Sequence, residues 1–230
     1  VLELPGFEGI HLIQELKEML PKVRFMIFSN LKEEIYAINS NNGGILWFEN
    51  LSVDTLFSKN LISDIQSSPV IHKNKVLVSS YINKFLSLQL KDGQISWEVK
   101  LSTINPIVTA GNNIFIVDSE NKLHCLDDNT GGILWSAQLK TKNEDDIITW
   151  YGPLLVQNKL ILASSEGAII SISPFTGGLL GVIKTKHVFK THPILANKTI
   201  FFLSKDGNLV ALENDLRDRA KDMLNFLSDK

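Results

Sequence analysis

Side chains that titrate, ligate metals or attack carbonyls occur throughout this 230-residue chain, but few stand in patterns that chemistry requires. Acidic residues cluster twice, as Asp127-Asp128 and as Glu144-Asp145-Asp146. A calcium loop needs oxygen ligands alternating over about a dozen residues around a central glycine. Neither run has that spacing, so both read as solvated loop charge. Of the five histidines, His187 and His192 stand five apart before Pro193, and His72 lies in a strand–turn setting. His11 and His124 read as isolated, and no helical His-x-x-x-His pair or third ligand accompanies any of the five. The single cysteine, Cys125, excludes an intrachain disulfide and a four-thiolate metal site. The sequence contains no Gly-x-Ser-x-Gly elbow and no phosphate-cradling loop ending in Lys-Ser/Thr. No catalytic, cofactor-binding or metal-binding set emerges, and an enzyme is not the expected reading.

Composition narrows the partners. Twenty-three basic residues against 25 acidic ones leave a net charge of −2, so no positive field points to nucleic acid or to an anionic membrane surface. Hydrophobic residues make up 44% and charged residues 21%, the balance of an ordinary globular chain. No apolar run reaches the ~20 residues of a membrane helix, so no direct membrane span is expected.

The elements that must position any site show themselves as a repeat. Two apolar residues three apart are followed by a polar stretch, a glycine, and a tryptophan four residues later. The pattern runs from Ile35 and Ile38 through Gly43 to Trp47, from Phe85 and Leu88 through Gly93 to Trp97, and from Leu123 and Leu126 through Gly131 to Trp135. A fourth copy, Ile169 and Ile172 through Gly177, has Gly181 in the tryptophan position, and Leu209-Val-Ala-Leu212 opens a fifth. Upstream of four of these copies stands a proline-led apolar strand, at Pro69, Pro106, Pro153 and Pro193, followed by a polar turn and a second apolar strand. Proline is tolerated at a strand's first position, where its missing N–H falls at the end of the ladder. Gly-Gly at 43–44, 131–132 and 177–178, with Asp-Gly at 92–93 and 206–207, is expected to supply the positive φ angles of tight hairpins.

Four short strands every ~40–45 residues is the interval of propeller blades. The expected fold is therefore all-β, a β-propeller with about 4–5 four-stranded blades over 23–213. Trp47, Trp97 and Trp135 read as structural rings packing one blade on the next, with a ligand-stacking row as the alternative. Residues 1–22 stand apart as a non-repeat segment, with Leu12, Ile13, Leu16, Met19 and Leu20 at helical spacing before Pro21. Residues 214–230 read as a C-terminal helix capped by Asn214, with Leu216, Ala220, Leu224 and Leu227 on one stripe.

The tryptophan-marked units resemble those of the pyrroloquinoline-quinone-like (PQQ-like) propellers, which include quinoprotein dehydrogenases and the outer-membrane assembly factors of the BamB family. The order of Leu61–Pro69, Trp150–Pro153, Ser164–Pro174 and Pro193–Leu212 is similar to the C-terminal half of that family, particularly its alphaproteobacterial forms. The resemblance implies a non-catalytic scaffold on the periplasmic face of the outer membrane, without a cofactor, binding the periplasmic domains of BamA. The sequence itself carries no signal or lipid-attachment motif. The implied binding loop is Ser63-Asp64-Ile65-Gln66, in which Asp64 matches the first of two family acids. Gln66 replaces the second, keeping a hydrogen-bond acceptor without the charge. The structural alternative for Asp64 is a turn cap. The family has eight blades, so this chain is expected to be a partial propeller that closes on its terminal helices or self-associates through exposed edges. A different propeller interaction or sensor module, and a quinoprotein dehydrogenase, are the alternative functions.

Overall fold

A computed structural model describes residues 25–29, 34–39, 42–51, 67–80, 83–139 and 148–213. The segments read as helical, 1–22 and 214–230, lie outside the described residues, as do Ser63, Asp64, Ile65, Gln66 and the acidic run 144–146.

Eighteen strands among the described residues form five antiparallel meanders. Sheet one holds β1 (Phe25–Ser29), β2 (Glu34–Ile38) and β3 (Ile45–Asn50). Sheet two holds β4 (Val70–His72), β5 (Lys75–Ser80), β6 (Lys84–Gln89) and β7 (Ile95–Val99). Sheet three holds β8 (Val108–Ala110), β9 (Asn113–Val117), β10 (Lys122–Asp127) and β11 (Ile133–Gln138). Sheet four holds β12 (Trp150–Val156), β13 (Lys159–Ser164), β14 (Ala168–Ile172) and β15 (Leu179–Lys184). Sheet five holds β16 (Ile194–Ala196), β17 (Thr199–Leu203) and β18 (Leu209–Glu213). These are propeller blades, three of them four-stranded. The chain divides into two compact units, Val1–Ser102 with sheets one and two, and Thr103–Lys230 with sheets three to five.

Burial explains the sequence pattern strand by strand. The middle strands β5, β9, β10 and β13 are buried at nearly every position, and for β13 both faces of the sheet meet apolar neighbours. The outer strand β7 faces mostly toward solvent, with only Trp97 buried. In the first unit Ile35, Ala37, Trp47 and Leu51 pack on Val76, Val78, Leu86 and Leu88. In the second, Phe115, Leu123 and Cys125 of sheet three meet Leu160, Leu162 and Ile170 of sheet four. The opposite face of sheet four, with Ile161, Ala163 and Ile169, packs on Phe189, Ile200 and Phe202. Each such Leu, Ile or Phe contributes about 1.5–3 kcal/mol by leaving water.

The hairpin before each outer strand is the same device four times. Gly43, Gly93, Gly131 and Gly177 have φ of 70°, 78°, 72° and 70°. Their amides donate back to Asn39, Gln89, Asp127 and Ser173 at 2.8–2.9 Å. The register of the following pair shifts at Ile38, Leu88, Leu126 and Ile172, so each turn ends in a bulge. Only the first glycine of each Gly-Gly pair is left-handed, which corrects the expectation for Gly44, Gly132 and Gly178. The second glycine's N–H is instead taken by a side chain two residues back: Asn42 Oδ1 at 2.9 Å, Thr130 Oγ1 at 3.1 Å or Thr176 Oγ1 at 3.2 Å. Pro153 also departs from the expected strand start. It lies inside β12, where the pairing with β13 jumps from Tyr151 to Leu154, and this bulge accommodates the missing N–H.

Candidate functional site

Any loop-borne site on these sheets depends on how firmly one sheet holds the next, and Trp47 and Trp135 provide that hold, one in each unit. Trp47 on β3 donates its indole N–H to the carbonyl of Leu90 at 3.0 Å, in the turn that follows β6. Its ring lies over Gly93, where an added Cβ would come within 2.7 Å of Trp47 Cε3. Trp135 on β11 repeats this with Pro174, at 3.2 Å, and with Gly177, again 2.7 Å from a built Cβ. The glycine is thus required twice, by its positive φ and by the indole lying on it. Trp97 is buried and tilts against Phe85, with ring centroids 5.7 Å apart.

The loop read as partner-binding belongs to the segment 52–66 that joins β3 to β4. Its described flanks are fixed: Leu51 is buried in the first unit's core and Ser67 is buried beside Pro69. Asp64 and Gln66 themselves lie outside the described residues. The corresponding segment between β15 and β16 is described throughout. Thr185 donates through its amide (2.8 Å) and its hydroxyl (3.0 Å) to the carbonyl of Gly167. Lys205 N–H reaches Val188 O at 2.7 Å, and Phe189 is fully buried against Phe202.

The residues before Pro106, Pro153 and Pro193 perform a task that sequence reasoning missed. The Asn105 amide, with its nitrogen turned toward sheet four, donates to the carbonyls of Trp150 (2.9 Å) and Gly152 (3.1 Å). Gly152 N–H in turn donates to His192 Nδ1 at 3.1 Å. Polar side chains therefore tie sheet three to four and four to five along their innermost strands. Burial holds His192 below its ordinary pKa, which keeps Nδ1 available as an acceptor. The signal was present in the polar pre-proline residues Asn105 and His192.

His124 is not isolated, contrary to the sequence reading. Its Nε2 lies 2.8 Å from Asp118 Oδ2 and its Nδ1 2.7 Å from Ser136 Oγ. Burial disfavours charge on Asp118, but the bond from His124 and the amides of Lys122 and Glu120 outweigh it and lower the pKa. A base held between a carboxylate and a hydroxyl is the outline of a nucleophilic triad. Two observations argue for a polar lock instead. Asp118 Oδ1 caps its turn by accepting from Glu120 and Lys122, a role that Ser164 Oγ fills in sheet four for Glu166 and Ala168. Ser136 stands on a solvent-exposed outer strand, where the low dielectric that strengthens an oxyanion site is lacking.

Cys125 is buried, and burial with the nearby charge of Asp127 pushes its thiol up to about 11, so it is an unreactive core residue. The acidic pair beside it is not solvated loop charge. Asp127 Oδ1 accepts from Asn129 N, Thr130 N and Thr130 Oγ1, and Asp128 is fully buried. Among the described residues no group of three or more His, Cys, Asp or Glu side chains could hold a metal.

Comparison with known proteins fits this geometry. The family model for outer membrane protein assembly factor BamB matches residues 18–137 and 123–220. The chain belongs to the BamB family. It is 25% identical over 182 residues to BamB of Escherichia coli (strain K12), covering 77% of this chain and 45% of that protein. The chain thus spans about half the length of that curated relative. The crystal structure of BamB from Moraxella catarrhalis matches with a TM-score of 0.64 at 14% identity, over 84% of this chain and 56% of that one. Quinohemoprotein alcohol dehydrogenase from Comamonas testosteroni matches with a TM-score of 0.60 at 12% identity, over 83% and 40%. At such identities these two structures show the propeller fold alone.

Proposed function

We propose that this chain acts as a non-catalytic scaffold in the assembly and insertion of β-barrel proteins into the outer membrane. It works on the periplasmic face and binds the periplasmic domains of BamA through Ser63-Asp64-Ile65-Gln66. The observation that carries this reading is the BamB-family match along residues 18–220, in repeat order. The sheets suit the role physically. Indole–glycine contacts join sheet one to sheet two and sheet three to sheet four, a rigid frame on which binding costs little ordering entropy. Asp64 supplies the carboxylate for a charge-assisted bond, and Gln66 contributes a neutral acceptor.

Co-purification with BamA's periplasmic domains tests the reading. The wild-type chain should be captured, and Asp64→Arg should lower capture about tenfold, as expected for losing a charge-assisted bond and placing a like charge opposite a cation. Failure to capture the wild-type chain overturns the assembly role. Equal capture of both chains overturns the assignment of the site.

A further inference from the structure

We infer that residues Lys184–Lys190, with Lys205, form a preset cationic strip that docks an acidic segment of a partner protein. The segment reads Lys184-Thr-Lys-His-Val-Phe-Lys190 and contains no acidic residue, in a chain whose net charge is −2. Lys186, Lys190 and Lys205 are exposed, and none of them forms an ion pair among the described residues. Lys205 joins the strip because its N–H bonds Val188 O and because Phe189 bridges Ser204.

Rigidity separates this strip from ordinary surface lysines. Thr185 is bonded twice to Gly167 O, and His187 N–H donates to Thr185 Oγ1 at 3.1 Å. Phe189 anchors the centre with no exposed surface. An added Cβ at Gly167 would meet the carbonyls of Thr185 and His187 at 2.6 Å, so the segment is seated directly on the sheet-four turn. The backbone is therefore ordered before a partner arrives, and only lysine side chains lose freedom on binding.

The charges nearby select the kind of partner. Glu166 and Asp206 are exposed in the two turns that hold the strip, so the local balance is four lysines against two carboxylates, with His187 counted neutral. A uniformly anionic bilayer would meet both carboxylates. An extended peptide can place its acids on the lysines and its neutral residues opposite Glu166 and Asp206. Val188, 37% exposed between the cations, adds a small apolar contact. This inference stands apart from the assembly reading and uses a different loop.

The test is fluorescence anisotropy with a fluorescein-labelled peptide of alternating glutamate and serine. The wild-type chain should bind it, more weakly as salt rises. Lys186→Glu/Lys190→Glu/Lys205→Glu should bind about tenfold or more weakly. Lys73→Glu/Lys91→Glu/Lys100→Glu carries the same charge change in the first unit and should bind as the wild type does. The charge-removing Lys186→Gln/Lys190→Gln/Lys205→Gln should fall between, and circular dichroism should show all four proteins folded alike. Absence of peptide binding by the wild-type chain, or equal loss in the two reversal variants, overturns the proposal. So does binding to phosphatidylglycerol vesicles in place of the peptide.

Discussion

A methyl group at residue 93 would sit 2.7 Å from Cε3 of Trp47, and one at residue 177 would be equally close to Trp135. Gly207 has the same backbone sign, φ 79°, but open space around it. The three glycines therefore separate two costs. Gly207→Ala should lose only the left-handed penalty, about 1–2 kcal/mol. Gly93→Ala and Gly177→Ala should add an overpacking term, for a total of about 2–5 kcal/mol. Urea midpoints will order them, and a Gly207→Ala loss as large as the others would refute the indole contact as the reason. His192 gives a pH signature at the same scale. Its pKa is lowered in the folded chain by burial, so above about pH 6.5 the ring is neutral in both states and stability is flat. As pH falls through that value toward the folded pKa, the unfolded chain binds the proton first and stability drops. His192→Asn, which keeps an acceptor for Gly152 N–H, should remove that drop, as read from melting temperatures between pH 7 and about 5. Asp118, also lowered, contributes in a more acidic window. Its stabilisation is present above about pH 4 and disappears as pH falls through the folded value.

Within the elements, Phe189 is the most exacting test of the connector between β15 and β16. Phe189→Ala should cost about 3–5 kcal/mol by opening a void beside Phe202, Ile200 and Ala163. It should also raise amide exchange at Thr185 and Lys205. Strands and turns were legible in the chain because their causes are local. Apolar residues three apart and the glycine of the following turn act within a dozen residues, and β2–β3, β6–β7, β10–β11 and β14–β15 all formed where they pointed. What stayed hidden depends on side chains that the fold brings together and no local pattern marks. His124 gains Asp118 from one turn and Ser136 from the facing strand, six and twelve residues away. Asn105 finds its acceptors at Trp150 and Gly152. Left-handed Asn83, Asn121 and Gln157 were also unmarked, since only glycine announces that conformation plainly. The loop Ser63–Gln66 was read through family resemblance alone and lies outside the described residues.

At the scale of the whole molecule, each compact unit carries its own apolar core, and Cys125 reports on one of them. The thiol is buried among Leu123, Leu160 and Leu162 with its pKa pushed up to about 11. Labelling by a thiol reagent should therefore be negligible at pH 7 in the native chain and should rise only with urea unfolding of Thr103–Lys230. A rate in native buffer matching that of a free cysteine would contradict this packing.

The indole seated on the next sheet's glycine makes the joint between sheets modular. The Trp47–Gly93 and Trp135–Gly177 contacts each pair a plug on one sheet with a socket on the next, and a repeat that carries both residues has the two halves of such a joint. Duplication or loss of such a repeat leaves matching partners on either side of the seam, so sheet number can change over evolutionary time without new junction chemistry. Selection is then free to act on the loops between, where recognition is written.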